Sequence, residues 1–150
     1  MIWLTFATLI AVFIIGFRVL TSEPRRAVRR LSERLAITPV PVETMIDQIG
    51  KDPGAEFIRY LARPDEAHLQ NAAQVLFIWD AYIVDGSERN LHYWHRILQK
   101  ARLAAPITDA QIRLAQGFLR ELEPDAGELN AFQMRYNTLF MPEEGVHWLH

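Results

Sequence analysis

His92 and His95 stand three residues apart, and His147 and His150 repeat that spacing at the end of the chain. Histidines so placed share a helical face and hold a divalent metal once further ligands converge on them; Asp85 and Glu88 are the candidates at hand. The pattern stops short of a metal motif. There is no H-E-x-x-H, no carboxylate–histidine pair repeated on a second helix, and no cysteine among the 150 residues. His95 also falls between the apolar positions Leu91 and Leu98, which suits a histidine at the edge of a core. Carboxylates pair at Asp65/Glu66, Asp80/Asp85 and Glu143/Glu144, without the cleft-forming surroundings that acid–base chemistry needs. Asp65 and Glu66 better fit the positive end of a helix dipole. Glycines are scattered, with no phosphate-binding loop and no G-x-S-x-G elbow. Neither a catalytic residue nor a cofactor is expected, and a metal would rest on His92 and His95 alone.

A second group of residues has a different chemistry. Arg18, Arg25, Arg26, Arg29, Arg30 and Arg34 precede residue 37, opposed there only by Glu23 and Glu33. Ala27, Val28, Leu31 and Leu35 fall on one face of a helix, which predicts a basic amphipathic helix over residues 24–36. Such arginines bind phosphate, either on anionic lipid headgroups at up to about 1 kcal/mol each or on nucleic acid. What precedes them favours lipid.

From Ile2 to Phe17 no residue is charged, and Thr5 and Thr8 are the only polar side chains. Helical threonines return their hydroxyls to the preceding turn and tolerate lipid. Residues 2–20 as a helix would span about 28 Å against a hydrocarbon core of about 30 Å. Twelve of them are Leu, Ile, Phe or Val, together favouring insertion by roughly 4–7 kcal/mol. Arg18 lies near the end, where its stem snorkels to the headgroups. A cleaved signal peptide would want a basic start and an Ala-x-Ala site, and neither is present. An uncleaved span is therefore expected. The arginines behind it set the topology: amino terminus periplasmic, residues from about Thr21 onward cytoplasmic, in a bacterial inner membrane.

The elements that must position all these groups read as helices. Beyond Ala36 ten basic residues face sixteen acidic ones, so nucleic acid is not an expected partner of the rest of the chain. Pro39 and Pro41 predict an extended connector. Short helices follow over Val42–Lys51 and around Phe57, Ile58 and Leu61, with Asp52-Pro53-Gly54 as punctuation between them. Residues 65–84 are apolar nearly all round, the mark of a bundle's centre, with Asp80 either at the surface or accepting a hydrogen bond inside. Gly86 is expected as a left-handed terminator and Ser87 as the cap of the helix Glu88–Ala104. T-x-x-Q at Thr108–Gln111 predicts a capping box opening a helix to Leu122, and Glu128–Phe140 supplies the last. The class is all-α: one N-terminal transmembrane helix, a basic juxtamembrane helix and a bundle of about five or six short helices. Three units are expected, namely residues 1–22 as anchor, 23–41 as basic helix and proline-containing linker, and 42–150 as helical domain.

RPDEAHLQNAAQVL (63–76), IVDGSE (83–88), WHRILQKARLAAPITDAQ (94–111) and GVHWLH (145–150), with the opening apolar run and RVLTS (18–22), resemble the YicN family. These are small uncharacterised proteins of enteric bacteria that begin with one predicted membrane segment. The resemblance covers essentially the whole chain and implies an inner-membrane protein. It brings no activity and no site residues.

The function expected from these residues is non-enzymatic. An anchor (residues 2–20) and a basic helix at anionic headgroups would hold a helical adaptor or interaction module at the membrane, its partner another protein or a second copy of itself. Tyr93, Trp148 and Leu149 are the candidate partner contacts, because aromatic side chains left at a surface favour interfaces. The alternative is a tethered metal-binding or enzymatic domain using His92 and His95.

Overall fold

A computed structural model describes Ile2, Thr5, residues 7–10 and residues 23–141. Among these residues there is no strand, and seven α-helices of nine to thirteen residues follow one another: α1 (Glu23–Leu35), α2 (Val40–Gln48), α3 (Lys51–Leu61), α4 (Glu66–Ile78), α5 (Glu88–Lys100), α6 (Asp109–Phe118) and α7 (Ala126–Asn137). Short 3₁₀ turns over Arg120–Leu122 and Thr138–Phe140 extend α6 and α7. None of the described helices is long and apolar enough to cross a membrane. Most of the span expected at residues 2–20 lies outside the described residues. Those that are described there, Ile2, Thr5 and residues 7–10, are helical and exposed.

The bundle is built around α4. Its residues from Ala72 to Ile78 are all buried, so no face is left for water, as its apolar circumference predicts. It packs against α1, α2, α3 and α6. Phe77 stacks on Trp94 of α5 and on Phe132 and Tyr136 of α7, with ring centroids 4.7 Å apart in the Phe77–Tyr136 pair. After Ile78 the helix widens. Trp79–Val84 form a π-helical turn, closed by the Asp85 amide donating to the Asp80 carbonyl at 2.8 Å, five residues back.

The basic helix is not a separate unit, contrary to the boundary expected near residue 42. Ala27, Val28, Leu31 and Leu35 are buried in the same core as α3–α7, against α3 and α4. Full burial of a leucine stabilises by about 1.5–3 kcal/mol, and both Leu31 and Leu35 are buried. This face therefore turns inward. The connector is also shorter than Pro39 and Pro41 suggest. Ala36 takes a left-handed conformation (φ 54°), Ile37 returns its amide to the Ser32 carbonyl at 3.0 Å, and α2 begins at Val40. Proline in the first turn of a helix loses no intrahelical bond, so Pro41 opens α2 instead of preventing it.

Local signals explain the remaining boundaries. Ser87 Oγ accepts from the Asn90 amide at 3.2 Å, and Thr108 and Gln111 form the expected reciprocal box at 3.2 and 3.0 Å. Gly86 is not the left-handed terminator expected. Asp85 leaves the π turn in extended conformation and its carboxylate accepts from the Ser87 amide at 3.0 Å, so the reversal needs no positive φ. The glycine that needs one is Gly50 (φ 100°), between α2 and α3. It starts α3 at Lys51, so Asp52-Pro53-Gly54 falls in the first turn of that helix and not between two helices.

Candidate functional site

Helix α1 sorts its arginines by function. Arg25, Arg26 and Arg29 are exposed. Arg30 and Arg34 flank the buried stripe and reach into the domain. Arg30 Nη2 donates to the carbonyls of Leu61 at 2.7 Å and Arg63 at 2.5 Å, at the C-terminal end of α3. Arg34 Nε donates to the Ala101 carbonyl, the C-cap of α5, at 3.2 Å, and its Nη2 lies 2.7 Å from Glu66 Oε1. The last carbonyls of a helix have no amide partner and carry the negative end of its dipole. Two arginines from α1 thus close two other helices. Arg18 lies outside the described residues.

The histidine pair does not converge. His92 is exposed, with Nε2 3.8 Å from Glu88 Oε2 on its own helix. His95 is half-buried, Nδ1 3.3 Å from the Tyr136 hydroxyl, with its ring edge-on to Tyr136 and Phe140. Desolvation, with the neighbouring His92 charge second, lowers the His95 pKa. Burial likewise pushes the Tyr136 phenol well above its ordinary value. Asp85 is engaged with Ser87, whose backbone amide holds its carboxyl below the ordinary carboxylate range. Among the described residues no three metal-ligating side chains gather. His147 and His150 lie outside them.

Asp80 turns inward, to a pair of donors. The π turn aims its Oδ2 at Trp94 Nε1, 2.6 Å away, and at Asn90 Nδ2, 3.1 Å away. Asp80 Oδ2 thereby ties the π turn to α5. A second polar chain ties three helices: Asn71 Nδ2 donates to the Tyr60 hydroxyl at 3.0 Å, and Gln111 Nε2 donates to Asn71 Oδ1 at 3.1 Å. The sequence marks Gln111 as a cap and is silent on its bond to α4.

A recess of about 810 Å³ opens between α6 and α7, beside Gln116, Asn130, Gln133, Met134 and Asn137. Gln133 and Asn137 are committed to Ile107 and Asp109. Asp109 and Arg113 supply its charges. Of the candidate partner contacts, Tyr93 is exposed on α5 with its ring edge-on to Trp94. Trp148 and Leu149 lie outside the described residues.

Fold and surface define a small all-α bundle whose helix α1 presents an arginine face. The chain belongs to the family described as "Protein of unknown function (DUF1198)", which it matches over residues 1–143. It is 71% identical over 150 residues, the full length of both chains, to the uncharacterized protein YicN of Escherichia coli K12, and equally to that of Escherichia coli O157:H7. A solved structure, the crystal structure of the protein of unknown function YPO2564 from Yersinia pestis, superposes with a TM-score of 0.77 at 30% identity. The match covers 83% of this chain and 95% of that one.

Proposed function

We propose that the protein is a single-span inner-membrane protein, amino terminus periplasmic, whose cytoplasmic helical domain is a non-enzymatic interaction module. The observation that carries this reading is the junction at α1. An uncharged run ends at Phe17, and within one helical turn of residue 23 begins a face bearing Arg25, Arg26 and Arg29, all exposed. The opposite face of the same helix is locked into the domain by Leu31, Leu35, Arg30 and Arg34. A helix fixed on one side and basic on the other orients the whole bundle against anionic headgroups, each arginine adding up to about 1 kcal/mol. Ile2, Leu9 and Ile10 are apolar and exposed, which supports burial of that run in lipid rather than in the bundle. The adaptor role is supported by Asp80, Asn71, Tyr60 and Gln111, polar side chains that hold one helix to another.

The test is a reporter fused after His150 together with crosslinking in cells. Cytoplasmic reporter activity, membrane fractionation that survives high salt, and recovery of a crosslinked protein or a second copy are expected. Release of the full chain from membranes by salt alone refutes the anchor, and absence of any crosslinked species refutes the module.

A further inference from the structure

Helices α1, α2 and α3 enclose a groove of about 590 Å³, a volume in the range of small-ligand sites. Val28, Ile46 and Ile58 are the branched apolar side chains of its lining. Its floor is set by a close helix crossing: a Cβ at Gly54 would stand 2.8 Å from the Ile46 carbonyl oxygen, so only glycine admits this approach. Around the apolar part stand two cations, Arg25 and Lys51, and two anions, Glu43 and Asp47. None of the four is in an ion pair with a described residue. Two charges of each sign, unpaired around an apolar strip, suit a ligand that carries both signs on an apolar body.

The position of the groove selects that ligand. Pro24 forms one end of it, four residues beyond Leu20, where the apolar run stops. Four residues reach at most about 14 Å in any conformation. The headgroup layer is itself roughly 5–8 Å deep on each side of the bilayer. With residues 2–20 in the bilayer, the mouth of the groove lies at or just beyond the headgroups.

We infer that this groove seats one phospholipid with a zwitterionic ammonium–phosphate headgroup. The phosphate faces Arg25 and Lys51, the ammonium faces Glu43 and Asp47, and an acyl chain lies on Val28, Ile46 and Ile58. The inference rests on the anchor proposed above and assigns the groove its occupant. It gives the domain a lipid contact beyond those of Arg26 and Arg29, one that depends on headgroup type.

The test uses the full chain in vesicles of phosphatidylethanolamine and phosphatidylglycerol, with a trace of phosphatidylethanolamine carrying a photoactivatable group on one acyl chain. Labelling is expected within residues 43–58 as well as within 2–20. Ile58→Trp fills the groove and removes the first label while sparing the second. Arg25→Ala with Lys51→Ala, which touches no core residue, lowers the first label by about threefold to tenfold, the worth of two partly exposed charge contacts. Label confined to residues 2–20 overturns the groove assignment and leaves the anchor standing. Label in neither place overturns the anchor. An equally strong groove label from a phosphatidylglycerol probe overturns the zwitterionic assignment.

Discussion

Replacing Arg30 by alanine separates an arginine that builds the fold from one that faces lipid. Its Nη2 serves two carbonyls, Leu61 at 2.7 Å and Arg63 at 2.5 Å, where α3 ends. A hydrogen bond from a charged donor is worth about 1.5–3 kcal/mol, and two sharing one nitrogen do not add fully. Releasing the side chain returns roughly 1–2 kcal/mol of rotamer entropy. Arg30 Nε is buried without a partner, so its removal also relieves a desolvated donor. The net destabilisation expected of Arg30→Ala is about 2 kcal/mol, or a fall in Tm of roughly 4–8 °C for a chain of this size. Arg26→Ala, from the exposed face, should stay within about 0.5 kcal/mol. Arg30→Lys should fall between them, since a flexible ammonium replaces a guanidinium preorganised for its partners. Thermal and urea unfolding of the full chain in mild detergent, followed by far-UV circular dichroism, measures all three. Equal shifts for Arg30→Ala and Arg26→Ala refute the assignment of Arg30 to the domain.

Other perturbations test the interior. Asp80→Ala leaves the buried Trp94 indole N–H without its acceptor and should cost about 2–4 kcal/mol, with a change in tryptophan fluorescence as the local readout. Gln74 is fully buried and neither atom of its amide has a hydrogen-bond partner, so Gln74→Leu should raise stability by about 1–2 kcal/mol in the same unfolding assay; an unchanged or lowered Tm counts against it. Thr108→Ala removes the capping box of α6 at about 1 kcal/mol, and Thr108→Ser should recover most of it. His95 titrates below its ordinary value of 6.5 in the folded protein because of desolvation. The unfolded chain therefore takes up the proton first: the His95 contribution is fully present above pH 6.5 and declines as pH falls through the lower folded value. His95→Gln should flatten unfolding free energy against pH in that window, and an unchanged slope refutes the assignment.

How much was legible depended on how local each determinant is. Thr108 and Gln111 are three residues apart, as are Ser87 and Asn90, so both caps are visible in the sequence. The burial of Leu91, Trp94 and Leu98, and of Leu129, Phe132 and Tyr136, follows helical spacing alone. The bonds of Arg30 and Arg34 are invisible in the sequence because their partners are 31 and 67 residues away, and a basic stripe looks the same whether it faces phosphate or helix ends. The burial of α1 hid for the same reason: an apolar face does not name what it lies against. Gly86 attracted the left-handed conformation expected of a helix end, whereas Ala36, Arg102 and Glu123 adopt it without being glycine. Gly54 is dictated by the Ile46 carbonyl on another helix, which spacing cannot reveal.

The π turn at Trp79–Val84 bears on how this family tolerates changes in length. A turn closed over five residues instead of four holds one residue more than the α-helix it interrupts. Deleting one residue there is absorbed as ordinary helix, with no loop to remodel and the chain downstream close to its former phase, but the side chains within the turn change direction. The first casualty would be the aim of Asp80 at Trp94 and Asn90. A one-residue gap at 79–84 in an alignment of family members should therefore coincide with loss of the carboxylate at 80, the indole at 94, or both. Where the gap is absent, the three side chains should vary as a set.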